Sequence, residues 1–419
     1  MKNIRNIFED FFTKKNFEIL PESKLINDDI KNTYFTISSM DNLIPILERK
    51  DSEFRFLNIQ RTFRCKNSHI ELWGRDAFLT PFNVMMSIFT LSKNFYNTIE
   101  LSLEFIFDIL KFDNKSIYCV YSKDNDSIIK NLYMKYIPKY NFIEVPKESL
   151  SWKLPFEKQN LQGRYIKLYK KHHTGFVLLC DCNIVHLESG VLVDIAYSLG
   201  VIEAIKYSYK TIYETDLYNG LHNIIKKEKM VLNKNDYKFI VLFISACIIL
   251  FDGGKPTANK SGSIIRKVIR MLFNCKSDIS KEIIDDYVEQ VRISINNWGY
   301  VYDIDTANKA KNIFIEELDR LNTLLIKNEK HLNRIVDKFK NLNIKQQYHT
   351  LKEFYSTYGI DVETSCNYLY ETNKITSTQR DGIINENKPF TPTCAITILN
   401  EGQNISKNFL ENLFFERIK

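Results

Sequence analysis

The chain changes texture near residue 232. Before that point, short β-prone runs either alternate apolar and polar residues or are apolar throughout; after Asn233 the apolar residues recur at helical spacing, with few strand signals between them. A switch of this kind predicts an α+β chain: an antiparallel sheet flanked by helices over residues 1–232, an all-α domain over 233–388, and a C-terminal tail over 389–419. Two domains are the ordinary expectation for 419 residues, and 44% apolar content is ample for their cores.

In the first part, Ile7, Phe8, Phe11 and Phe12 form a helical stripe within 6–15. Residues 18–26 read as extended, turning at Pro21, and 33–40 (TYFTISSM) as a short β-prone stretch. FLNIQRTFR (56–64) and FNVMMSIF (82–89) read as strands around a polar loop, CKNSHIELWGRD. Dense apolar spacing over 98–110 predicts a helix covering the sheet. Further strands are expected at 117–122, 142–145, 165–169 and 176–185. The stretch 183–205, NIVHLESGVLVDIAYSLGVIEAI, reads as a buried strand running into a helix, with one acid, Asp194, near the join.

Past the switch, 239–251, 263–273, 281–294 and 306–342 are helical in period. In the last of these, Phe314, Leu318, Leu321, Leu325, Leu332, Ile335 and Phe339 keep a 4-3-4-3 spacing interrupted only at Asn328. That seam suits a bundle helix better than an intermolecular coiled coil. The apolar run 239–251 is too short to span a bilayer and contains Ser245, so it reads as a core helix. After Asn385, with Pro389 and Pro392, a loop and a short helix at 405–417 are expected.

The N-terminus, MKNIRNIFEDFF, carries Glu9 and Asp10 where a signal peptide needs an apolar core. Eight cysteines are scattered; their one close pair is Cys180-x-Cys182, with no CxxC spacing and no His pair to complete a metal site. Free thiols in a reducing cytoplasm, no resident metal and no membrane are therefore predicted. A formal charge of +7 permits a polyanionic partner without naming one.

Three groups carry candidate chemistry. Arg64 and Lys66 stand at the mouth of the 65–76 loop, where a guanidinium fork and an ammonium could hold a phosphate; a solvated surface pair is the plainer alternative. Asp194 lies between Val193 and Ile195, surroundings in which an ionised carboxylate needs a partner, either a substrate ammonium or an internal cation. Lys255, Lys260, Arg266, Lys267 and Arg270 put five cations into sixteen residues without an acid. Such a patch suits a phosphate backbone, or simply a well-solvated helix.

These residues also carry a resemblance. From about Ile4 to Pro389 the chain is similar to the N-terminal part of the alanyl-tRNA synthetases, a class II family. IRNIFEDFFTKKNFEILPESKL and YFTISSM resemble the opening helix and first class motif; QRTFRCKN followed by IELWG resembles the second. LFISACIILFDGGKPTANKSGSIIRKVIRML and FYSTYGIDVETS resemble helical segments of the same family. The resemblance implies a six- or seven-stranded antiparallel class II sheet, then a helical domain that docks a tRNA acceptor stem. It assigns Arg64 to the ATP α-phosphate and Lys66 to adenylate formation, with Mg²⁺ on the phosphates. Trp152 and Val185 then line a pocket for a small amino acid, and Asp194 receives the amino group. In the helical part it assigns Asn259, Arg266, Lys267, Arg270 and Glu363 to tRNA.

The departures from the family are as informative. The Gly-Gly between Arg64 and Lys66 is missing. A gap-free alignment puts Val201 where the family clamps the ATP γ-phosphate with an Arg, and Gly200 where a Glu precedes it. Losing one preorganised phosphate contact costs on the order of 10²- to 10³-fold in rate. The Gly- and Pro-rich loop before Tyr165 is replaced by EKQNLQG, an acid near Lys167 has become a base, and a second-strand Glu is Asn83. The Asn and Asp that read a G·U pair correspond to Ala258 and Glu363, with Asn259 one place away. Neither the family's editing domain nor its oligomerising tail is matched, which predicts no zinc-dependent editing and a monomer. Two functions follow: a minimal synthetase that activates alanine or another small amino acid with ATP and passes it to tRNA or another acceptor, or a degenerate paralog that binds amino acid or tRNA without making adenylate.

Overall fold

The computed structural model describes residues 3–28, 33–48, 53–65, 70, 72–122, 127–146, 150–153, 162–173, 175–276, 280–339, 341–358, 360, 362–384 and 392. The described chain forms two compact units. One comprises Met1–Leu72 and Asp76–Thr215; the other is Asp216–Pro392 together with Trp73–Arg75.

The first unit is a mixed sheet with helices. Its described strands, in chain order, are β1 (Glu18–Ile19), β2 (Phe54–Phe63), β3 (Phe82–Ser92), β4 (Ile117–Ser122), β5 (Phe142–Val145), β6 (Ser151–Lys153), β7 (Gln162–His172), β8 (Gly175–Leu187) and β9 (Gly190–Ser198). They lie in the order β1-β2-β3-β9-β8-β7-β4-β5, with β6 on β7. The six central strands, β2 to β4 in that order, pair antiparallel. The two edges depart from the all-antiparallel expectation, since β1 pairs parallel with β2 and β5 parallel with β4. The parallel edge at β5 follows from connectivity, because helix Ser127–Met134 lies between β4 and β5 and carries the chain back to the same end.

Two expectations change here. The stretch 183–205 is not one strand entering a helix but the hairpin β8–β9, turning at 188–189 with Gly190 at φ +147°, followed by helix Leu199–Lys206. Residues 33–40 supply only an isolated bridge, Ile26 to Phe35. There the Asp41 carboxylate accepts the Ile37 and Ser38 amides at 3.0 and 3.4 Å and turns the chain into a 3-10 turn, Ser39–Asn42.

Alternation decides which residues meet. On one face, helix α1 (Ile4–Lys14) buries Ile4, Phe8, Phe11 and Phe12. Phe8 meets Phe105 and Tyr197 at ring-centroid distances of 5.5 and 6.0 Å. The same face is pinned by Ser102 Oγ to Tyr197 Oη at 2.6 Å and Thr90 Oγ1 to Thr98 Oγ1 at 2.8 Å. The opposite face carries polar residues that are fully buried, among them Asn58, Gln60 and Ser87. Asn58 Nδ2 donates to Leu20 O at 2.8 Å and Gln60 Nε2 to Ser23 O at 3.0 Å, while Ser87 Oγ meets Ser39 Oγ at 2.5 Å. A buried polar group needs such partners, and here they hold residues 20–23 and 39–42 across the β2–β3 end of the sheet.

The second unit is helical. Continuing the numbering from α1, its helices are Asp216–Lys229, Lys234–Phe251, Lys260–Cys275, Lys281–Asn297, Ile304–Phe339, Ile344–Tyr358, Val362–Glu371 and Ser377–Ile384. The second of these is apolar nearly all round and buries every residue from Phe239 to Phe251, as a central helix must. Asp216–Lys229 joins this unit rather than the sheet, so the division falls at Thr215/Asp216, ahead of the change of texture near 232. Its Gly220 lies so close to Gln290 of Lys281–Asn297 that a Cβ there would overlap Nε2. Gly74, at φ +80°, approaches the Lys238 amide just as tightly, and a side chain on it would run into that nitrogen. In Ile304–Phe339 the seam packs as a bundle helix: Phe314, Leu321, Leu325, Leu332 and Phe339 are buried, and Phe314 stacks on Phe243 at 5.0 Å. The expected helix at 405–417 lies outside the described residues.

Candidate functional site

Strand register assembles the site on the polar face. One row across the sheet runs Phe56, Phe89, Asp194, Asn183, Tyr165; the next runs Asn58, Ser87, Ala196, Asp181, Lys167. On the other side of Asp194 lies Leu91, Leu192, Val185, Gly163, Trp152. Residues two apart on a strand share a face, so all three rows look the same way.

Asp194 is buried at 8% exposure, and its Oδ1 has no hydrogen-bond partner among the described residues. Its cross-strand neighbour Asn183 donates a side-chain hydrogen bond to the carboxyl. Burial first, then the charge of Asp181, push the group from an ordinary 3.8 up to about 8, against the effect of Asn183. At neutral pH the free protein therefore holds Asp194 mostly as the acid, and a cation brought to Oδ1 would draw out the proton. Val185 is fully buried in a cluster with Met40, Leu43, Phe89, Leu91 and Leu192, so it forms an apolar wall beside the acid. Trp152 is placed by its backbone, which pairs with Gly163 next to Val185; its side chain lies outside the described residues.

Arg64 stands at the other end. Its amide donates to Pro81 O at 2.8 Å, its Nε to Ile37 O at 2.7 Å, and its Nη2 approaches Met85 Sδ at 3.7 Å. The two side-chain contacts fix the plane of the guanidinium. Met85 pairs with Ser198, four residues from Asp194, or roughly 13 Å along the strand. Lys66 lies outside the described residues.

Helix Leu199–Lys206 begins at this end, and its only cation is Lys206, whose Nζ donates to Leu110 O at 2.8 Å. No choice of alignment register within LGVIEAIK supplies an Arg. Val201 is packed with Ala77 and Val177, and Phe78 and Ile205 lie against them. Asn83, at the place of the expected Glu, accepts from Ser198 Oγ at 2.8 Å.

Sequence reasoning passed over Asp181 and Asn183 as site residues. The signal was present in CDCNIV, where alternation puts Asp181, Asn183 and Val185 on one face. Lys167, flagged only as a change of sign, is buried at 3% exposure, with Nζ 3.6 Å from Asp181 Oδ1 and 4.8 Å from the Tyr165 ring centroid.

In the helical unit, Lys260, Lys267 and Arg270 fall within about 80° of arc on Lys260–Cys275, on the side away from the buried stripe of Ile265, Val268, Ile269 and Leu272. Arg266 is turned aside: its Nη2 donates to Pro256 O at 3.1 Å and its Nε lies 3.4 Å from Glu317, so it braces the preceding loop. Asn259 stands at the N-cap position of this helix, makes no side-chain capping bond and is exposed. Glu363 belongs to Val362–Glu371, and its side chain lies outside the described residues. Its neighbour Thr364 donates to the Asn274 side chain, fifteen residues along the helix from Asn259, or roughly 22 Å. The structure therefore does not bring Asn259 and Glu363 together.

The sequence model of the family described as tRNA synthetases class II (A) matches residues 3–176. Alanine–tRNA ligases of Mycoplasma mobile and Malacoplasma penetrans are 24% and 25% identical, each over 86% of this chain. The chain is thus similar to the alanine–tRNA ligases, as a divergent relative of them. It spans 46% and 43% of those two relatives, so about half the length of the proteins it matches. Solved structures with some likeness include a pyrrolysyl-tRNA synthetase of Desulfitobacterium hafniense, at 10% identity over 50% of this chain and 69% of that one, TM-score 0.30. A histidyl-tRNA synthetase of S. aureus matches at 8% identity over 48% and 68%, TM-score 0.31. Among the described residues no helix is long and apolar enough to cross a membrane.

Proposed function

We propose that this chain binds alanine or another small amino acid at Asp194 and activates it with ATP, passing the acyl group to tRNA or another acceptor. The observation that carries the reading is the buried Asp194 Oδ1, which has no hydrogen-bond partner among the described residues and lies beside the apolar wall of Val185. The ammonium of the amino acid binds there, and Val185, inside its apolar cluster, limits side-chain size. Arg64 receives the α-phosphate, its plane already set by Ile37 and Met85. A carboxylate oxygen of the amino acid attacks the α-phosphorus; the new O–P bond forms as the bond to pyrophosphate breaks, with Arg64 and Lys66 neutralising charge that develops there. Mg²⁺ bound with the nucleotide would neutralise phosphate charge.

The helical unit contributes the acceptor side. Lys260, Lys267 and Arg270 contact phosphates of a tRNA acceptor stem, with Arg266 holding the loop before them and Asn259 and Glu363 flanking the same helix. The seven described cysteines are free thiols, which suits work in the cytoplasm.

One observation favours a second reading, a paralog that binds amino acid or tRNA without adenylation: the helix after Asp194 offers no cation to a γ-phosphate. Alanine-dependent exchange of pyrophosphate into ATP separates the two. Exchange that disappears in Arg64→Ala supports the enzyme, whereas no exchange with any of the twenty amino acids rules it out.

A further inference from the structure

Lys167 is a lysine that the site does not obviously need. It is buried on the same face as Asp194, in the neighbouring row, and spends its charge on Asp181 at 3.6 Å and on the ring of Tyr165. Asp181 is itself only two residues from Asn183, the partner of Asp194, and its side chain is three-quarters buried. Two carboxylates on one sheltered face repel each other unless something intervenes.

We propose that Lys167 is a positioning residue for the amino-acid site: by holding Asp181 in an ion pair it offsets a second negative charge, so that Asp194 can ionise to receive a substrate ammonium. This rests on the amino-acid reading given above. Among the described residues, few titratable groups surround Asp194. Asp181 and the Cys182 thiol come from β8, and Lys167 comes from β7. The adjacent strand β3 presents uncharged Phe89. Over the same face, Asp41 is turned onto the Ile37 and Ser38 amides, and Arg64 onto Ile37 O. The Cys182 thiol is pushed up to about 12 by burial and stays neutral. Asp181 is thus the charge that bears on Asp194, and Lys167 is its counter-ion.

The test follows Asp194 itself in the full chain, with no substrate present. Protein labelled with [¹³C]aspartate is titrated by NMR from pH 5 to 10, and the Asp194 carboxyl resonance is assigned by its absence in Asp194→Asn. In the parent the midpoint is expected near 8. Lys167→Met should raise it by about one pH unit, the order expected for an unscreened charge at this separation. Lys167→Arg should restore the parent value, and Asp181→Asn should lower the midpoint even if Lys167→Met folds poorly. Alanine affinity measured at pH 7 should drop about tenfold in Lys167→Met and recover at pH 9, the fold-change matching one pH unit. A parent midpoint in the ordinary carboxylate range, or one that neither Lys167→Met nor Asp181→Asn moves, overturns the proposal. Midpoints that move as stated while no amino acid binds would uphold the charge coupling and reject the functional reading on which its purpose rests.

Discussion

The Asp194 end and the Arg64 end of the polar sheet face belong to strands β9 and β2, separated by β3, and they are furnished differently. Around Asp194, an apolar wall, a hydrogen-bonding amide and a lysine–acid pair surround one oxygen that has no hydrogen-bond partner among the described residues. Around Arg64, one braced guanidinium faces a helix whose single cation is committed to Leu110 O. An amino-acid site needs only one anion in a sheltered place. A triphosphate site needs several cations at once, and losing one weakens the whole. A chain can therefore keep recognition of the amino acid while its nucleotide chemistry falls away.

The contrast can be broken at either end. The largest effect is expected from Asp194→Asn, which should abolish alanine binding by at least about a hundredfold, because the ammonium loses its only buried counter-charge. The same change has a signature in stability. With the folded carboxyl held at about 8 against an ordinary 3.8, the folded state binds more protons than the unfolded chain between those values. Stability from this group is therefore complete below pH 4 and lost as pH rises toward 8, at up to about 1.4 kcal/mol per pH unit. Urea unfolding of Asp194→Asn should lack that slope.

Next in size, Arg64→Ala should lower pyrophosphate exchange by about 10²- to 10³-fold while leaving nucleotide-free alanine affinity nearly unchanged. If alanine affinity falls as far, the two ends are not separable. Val201→Arg, the obvious repair of the missing clamp, should fail. It would push a guanidinium among Ala77, Val177 and Phe78 and cost about 3 kcal/mol in thermal or urea unfolding, without raising exchange.

The smallest effects are expected in the helical unit. Lys267→Glu and Arg270→Glu should each weaken tRNA binding in a filter or anisotropy assay and reduce the salt slope by about 1. Arg266→Glu should act instead through the Pro256 loop, lowering the melting temperature as well as affinity.

Much of the fold was legible in the sequence. The strands at 117–122 and 142–145 appear as expected, because short apolar runs bounded by turn residues leave little choice. The β8–β9 hairpin was not, since both strands are so apolar that ESG alone marks the turn, and a continuous apolar run hides where a strand reverses. TYFTISSM looked like a strand because propensity is local, whereas the Asp41 carboxylate that turns it is a side-chain effect. At the candidate site, Arg64 and Asp194 stood out by residue type and surroundings, and Val185 only through the family resemblance. Asp181 and Lys167 were not paired, because their contact depends on register across two strands, which one-dimensional spacing does not carry. Arg266 looked like its neighbours in the basic run until its angle on the helix turned it to Glu317.

The most direct test of a built amino-acid end is calorimetric titration of the nucleotide-free protein with alanine between pH 6 and 9, in buffers of different ionisation enthalpy. Affinity should rise about tenfold per pH unit and flatten near 8, with close to one proton released per alanine bound well below that value. Absence of binding across the range, or binding that is flat with pH and releases no proton, would contradict the account.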